Sequence, residues 1–112
     1  MTGERDRPPG IETLDAAVDT AAERLRTMPE SRLRRGAGAA GLELTRELAR
    51  RAQLLERPGV PPRVLPDAGI WSVGDQLAVA GHDLAQALRE SADETAAARE
   101  LAAALELLRA GA

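Results

Sequence analysis

Gly36, Gly38 and Gly41, within "RGAGAAGL" at 35–42, have the G-x-G-x-x-G spacing of a dinucleotide cradle. In such a cradle a buried strand delivers the glycines to a tight turn at a helix N-terminus. There the backbone N–H groups and the helix dipole receive a pyrophosphate. The residues before these glycines read "PESRLRR", charged and with a single leucine, so no buried strand is available. Glu56 stands about twenty residues after Gly36, where a ribose-binding acid would be, but it ends the same helical run. Spacing without the strand is not a nucleotide site, and no cofactor is expected.

His82, in "VAGHDLAQ", is the only histidine. Metal ligation would place a second ligand three or four residues away on the same helix face. Ala78, Val79 and Gln86 hold those positions instead. A serine triad would need Ser72, which begins the same helical stretch about 15 Å away, and no nucleophile elbow is present. The absence of cysteine excludes disulfides and thiolate metal sites. The expectation is a non-catalytic protein with no metal. His82 reads as a surface or interface group whose pKa Asp75 or Asp83 could raise, making association pH-sensitive.

All fifteen basic residues are arginine. Residues 30–57 carry seven Arg against four Glu, and residues 75–112 carry seven acids against three Arg. Arg32, Arg35, Arg46, Arg50 and Arg57 share the side of the second helix opposite its apolar arc. Three readings compete: a solvated face with local pairs such as Glu30–Arg34 and Glu47–Arg51, a docking face for an acidic protein partner, or a nucleic-acid contact. Glu43 and Glu47 interrupt the patch, the net charge is −3, and no aromatic side chain stands beside it for base stacking. Nucleic acid is therefore the weakest of the three. Trp71, the only aromatic residue, is expected to plug the end of the bundle, with a partner anchor as the alternative.

The elements that carry these residues are helical. The chain has 112 residues and is 44% hydrophobic, much of it alanine, with five Val and two Ile to build a sheet from. Alanine, leucine, arginine and glutamate dominate, all strong helix formers. The arginine and alanine bias fits a GC-rich bacterial genome. No apolar run reaches transmembrane length and the N-terminus lacks a signal-peptide core, so a soluble cytoplasmic protein without membrane contact is expected.

Residues 1–9 read as a disordered tail and 10–112 as one helical domain. Ile11, Leu14, Val18, Ala21 and Leu25 mark a first helix over about 11–26. Leu33, Ala37, Ala40/Gly41, Leu44, Leu48 and Leu55 keep one register through the glycines, which predicts a single helix over about 29–57, favoured over a break at 36–38. Val73, Leu77, Ala80, Leu84 and Leu88 mark a third helix over about 73–89. Ala98, Leu101, Leu105 and Leu108 mark a fourth over about 92–110. Thr27/Glu30, Ser72/Asp75 and Ser91/Glu94 have capping-box spacing. Residues 58–72 hold four of the seven prolines and form a long loop, packed down by Val64, Leu65, Ile70 and Trp71. Short turns near 28 and 91 predict an all-α four-helix bundle of two antiparallel hairpins joined by this Pro-rich loop.

A second stripe, Gly38, Leu42, Thr45, Ala49 and Ala52, steps by 4, 3, 4 and 3 along the second helix. Either neighbours within the protomer wrap it, or it meets a second copy. The homodimer is the favoured outcome. These features predict a small protein acting through protein–protein contacts, by self-association or as an adaptor or regulatory module. A nucleic-acid-associated protein using the arginines is the first alternative. A ligand-binding protein or enzyme with a pocket under the 58–72 loop is the second.

Overall fold

Strong helix formers in 3/4 apolar spacing fold as that spacing dictates, and the computed structural model describes them over residues 10–111. The tail expected over 1–9 lies outside the described residues. The helices are α1 (Ile11–Thr27), α2 (a single turn, Glu30–Arg32), α3 (Gly38–Glu56), α4 (Val73–Arg89) and α5 (Glu94–Gly111). Among the described residues there is no strand. The long helices α1, α3, α4 and α5 form a compact all-α four-helix bundle around Leu14, Val18, Leu48, Leu77, Leu84 and Leu108.

The pairing of helices differs from two hairpins. Helix α4 makes the extensive contacts, with α1 on one flank and α3 on the other, while α5 touches all three only thinly. Helix α1 runs antiparallel to α4: Arg26 meets Asp75 at one end, and Asp15 meets Arg89 at the other. Helix α3 runs parallel to α4, because Gly41 near its start lies against Val73 at the start of α4. Helix α5 is antiparallel to α3, with Glu100 reaching Arg51 and Gly111 beside Leu44.

Two glycines set the α1–α4 distance. A Cβ at Gly81 would fall 2.4 Å from Val18 Cγ2, and one at Gly74 would fall 2.9 Å from the Ala22 carbonyl oxygen. The backbones approach so closely that no side chain fits between them. This close approach lets a core without Phe or Tyr reach dense packing with Val and Leu.

The single helix expected over 29–57 is broken. A widened π turn covers Leu33–Ala37, and Gly36 sits at φ 146°, ψ −21°, a conformation open to glycine and strained for other residues. The apolar phase survives the break because Leu33 is buried at the foot of α4, beside Ile70 and Val73, while Leu44 and Leu48 enter the main core. Periodicity records which residues are buried, not whether one axis carries them. The small residues divide accordingly: Gly38 and Gly41 are buried, Ala37 is half-buried, and Ala40 is exposed.

None of the three capping boxes forms. Thr27 Oγ1 donates back to the Glu23 carbonyl at 3.0 Å, and Asp75 is drawn to Arg26. Ser72 makes no side-chain cap bond. The acceptor at the start of α5 is Asp93, whose Oδ1 receives the Ala96 N–H at 3.0 Å. Tertiary partners and the preceding helix outcompete the local cap in each case.

Residues 57–72 run back along α3 as an extended strap. Gln53 grips the Arg63 backbone twice, donating from Nε2 to its carbonyl (3.0 Å) and accepting its N–H at Oε1 (2.8 Å). Arg46 Nε donates to the Leu65 carbonyl at 2.8 Å, and Gln76 Nε2 on α4 donates to the Pro66 carbonyl at 3.0 Å. These bonds satisfy carbonyls that a proline-rich chain cannot pair in regular structure. The strap delivers the chain to the N-terminal end of α3, and α4 therefore starts there.

Candidate functional site

The outer arc of α4 carries Asp75, Val79, His82 and Gln86, which fall within about 60° at 100° per residue, and Trp71 lies in the turn that leads into the helix. Trp71 is 62% exposed and Val79 63% exposed. The expected plug at the end of the bundle is therefore not Trp71. Ile70 takes that place: its side chain lies against Gly38, where a Cβ would meet Ile70 Cγ2 at 3.1 Å. On the strap Leu65 and Ile70 are half-buried, whereas Val64 is 77% exposed. The loop is held by hydrogen bonds to its backbone more than by its apolar side chains.

The stripe expected to meet a second copy lies inside the protomer. Gly38, Leu42, Thr45 and Ala52 are buried, and Ala49 packs half-buried against the core. Helix α4 covers the stripe, with the foot of the strap over its N-terminal end. Thr45 satisfies its hydroxyl locally by donating to the Gly41 carbonyl at 2.7 Å. A side chain already buried by its own chain offers nothing to a partner, so this stripe gives no basis for a dimer.

The five arginines do not act as a set. Arg46 holds the strap and approaches Glu43 at 3.8 Å. Arg50 pairs with Glu47 at 2.7 Å, and Arg51 joins the same carboxylate to Glu100 of α5. Hydrogen bonds from Arg50, then Arg51, outweigh partial burial and hold the Glu47 carboxyl below its ordinary value. Arg32, Arg35 and Arg57 are exposed. The expected Glu30–Arg34 pair is present at 2.6 Å.

His82 has partners on α1 rather than on its own helix. Its Nδ1 lies 2.6 Å from Asp15 Oδ1 and its Nε2 lies 2.8 Å from Asp19 Oδ1. Arg89 hydrogen-bonds the other oxygen of Asp15. The hydrogen bond to Asp15 raises the His82 pKa above 6.5, desolvation opposes it, and Asp19 adds to the rise. The rise does not come from Asp75, which pairs with Arg26, or from Asp83. Burial pushes the Asp15 carboxyl up, but the Arg89 and His82 hydrogen bonds outweigh it and the net shift is downward. Helix spacing shows that His82 faces away from the Leu77/Leu84 core; nothing in the sequence shows which α1 residues it meets.

Beneath the foot of the strap is a hollow of about 280 Å³ bounded by Leu33, Gly38, Leu42, Ile70 and Val73. That is small beside ligand pockets of roughly 300–1,000 Å³. Its lining includes no nucleophile beside a base. Among the described residues no group of three His, Cys, Asp or Glu side chains is placed to hold a metal ion, and no helix is long and apolar enough to cross a membrane. Set against protein-family models, curated proteins and solved structures, the chain matches none of them.

Proposed function

We propose that the chain acts without catalysis, as a small helical module working through protein–protein contacts made by the outer face of α4. The observation that carries this reading is the exposure of two large apolar side chains, Trp71 in the turn before α4 and Val79 on α4 itself. In a chain with a single aromatic residue, that residue is the natural core filler, yet Ile70 and the α4 glycines do the filling and Trp71 faces solvent. Exposed tryptophan in reach of further apolar groups is the residue type that anchors interfaces. Asp83 on α4 is exposed beside the arc, so the face suits a partner segment that pairs an apolar side chain with a basic one.

The test compares wild-type protein and Trp71→Ala as baits in native host extract, each checked for unchanged helical signal by circular dichroism. Proteins retained by wild type and lost with Trp71→Ala support the reading. Identical retention by both removes this face. A copy of the chain among the retained proteins, with a larger particle in dilute solution, makes the contact self-association. A different protein makes it an adaptor.

A further inference from the structure

His82 is held on both ring nitrogens by carboxylates, Asp15 at 2.6 Å and Asp19 at 2.8 Å. A carboxylate only accepts hydrogen bonds when ionised, and a neutral imidazole has one N–H and one bare lone pair. In the neutral state one of the two contacts would set a nitrogen lone pair against a carboxylate oxygen. Both contacts are favourable together only when the ring carries both protons. The structure assigns to His82 the role of a proton-operated clasp that fixes the first half of α1 to α4.

The surrounding charges act on the same joint. On α1, Asp15 and Asp19 face the ring, with Glu12 and Glu23 exposed one turn beyond on either side. On α4, Arg89 holds the second oxygen of Asp15, Asp83 is exposed next to His82, and Asp75 is occupied by Arg26. Arg89 thus keeps Asp15 ionised and oriented whatever the state of His82, while Asp19 meets the imidazole from the exposed side of α1. A neutral ring has one N–H for two carboxylates, and the shorter, more buried contact to Asp15 keeps it while the exposed Asp19 contact is released. The joint does not slip as a whole; it opens on the solvent side, where the ring is 40% exposed.

The sign follows from the direction of each shift. A His82 pKa raised above 6.5 means the clasp is fully closed below 6.5 and opens as pH rises through the elevated value in the folded protein. An Asp15 pKa lowered from 3.8 means its part is in place above 3.8 and lost as pH falls through the depressed value. The joint is therefore tightest between these two ordinary values and loosens on the alkaline side as pH passes through the raised His82 value. Because the groups are partly exposed, the effect is modest. It acts locally, on the N-terminal half of α1.

The proposal is tested on the full chain by following the His82 ring nitrogens by NMR through a pH titration, beside hydrogen exchange of the α1 amides. The ring should be mostly doubly protonated at pH 6.5, and Asp19→Asn should move the titration midpoint down toward 6.5. After correction for intrinsic rates, protection of amides around Asp15–Asp19 should fall about two- to fivefold across the titration, a change absent in His82→Gln. A ring that titrates at 6.5 and is unmoved by Asp19→Asn overturns the clasp. So does α1 exchange with the same pH course in wild type and His82→Gln. Asp19 is mostly exposed, so that variant keeps the test decisive if His82→Gln fails to fold.

Discussion

Helices α4 and α5 are nearly the same length, and α5 is the richer in alanine and leucine, yet they occupy opposite extremes of the bundle. Over 17 residues α4 buries Val73, Gly74, Leu77, Ala80, Gly81, Leu84, Ala85, Ala87 and Leu88; over 18 residues α5 buries Leu101, Ala104 and Leu108. The difference lies in where each helix carries glycine. Gly74 and Gly81 let the backbone of α1 come close to α4, while its leucines enter the core shared with both α1 and α3, so two neighbours fit where one leucine stripe would admit one. Helix α5 has no glycine until Gly111 at its end and covers the bundle with a single narrow line of contacts. Apolar content says little about centrality. The distribution of small residues around the helix decides it.

The sharpest way to break this comparison is to truncate a leucine in each helix. Leu84→Ala, at a fully buried site, should cost about 3–4 kcal/mol in a urea titration, whereas Leu105→Ala, half-buried on α5, should cost about 1 kcal/mol. Equal losses would make α5 as integral as α4. The next test addresses the close approach itself. Gly81→Ala should cost about 2–3 kcal/mol because its methyl meets the stiff, branched Val18. Combining it with Val18→Ala should destabilise less than the sum of the two single changes by about 1 kcal/mol. Strict additivity would mean that Val18 does not limit the α1–α4 distance. The smallest effect belongs to the strap. Gln53→Ala removes both hydrogen bonds to Arg63 and should cost about 1 kcal/mol, with faster amide exchange confined to residues 60–66. A global change in exchange would show that the strap is part of the core rather than laid upon it.

How much of this could be read from the sequence follows the same division. The existence and span of α1 and α4 were legible because Leu14, Val18, Leu77 and Leu84 repeat at helical spacing and nothing in the chain competes with them. The caps were not legible: Thr27, Ser72 and Ser91 have the right spacing, but Asp75 is taken by an arginine 49 residues away, and Thr27 bonds backward. Gly36 hid its turn because the residues on either side of it stay in apolar phase. The stripe Gly38–Leu42–Thr45–Ala52 was legible as buried, but not as buried by its own chain, since a helix from a partner and a helix from the same chain present identical side chains. Trp71 was misplaced for a related reason. Size and hydrophobicity favour the interior, but the adjacent Ile70 fits against Gly38 and takes that place, while the turn into α4 leaves Trp71 exposed.

The direction of the strap also governs how the chain finds its fold. Had residues 57–72 formed a short turn, α3 and α4 would have zipped from that turn outward as a local pair. Returning along α3 instead, the strap makes the α3–α4 seam pair residues about thirty apart, as in Gly38 with Ile70 and Gly41 with Val73, and the α1–α4 seam reaches further still: Arg26 to Asp75 over 49 residues, His82 to Asp15 over 67 and Arg89 to Asp15 over 74. The entropy of closing those large loops must be spent before the seams form, which slows collapse to the native state. This all-helical chain therefore refolds more slowly than an up-and-down bundle of equal size and stability. Its rate is set by the arrival of α4 between partners that cannot hold each other without it.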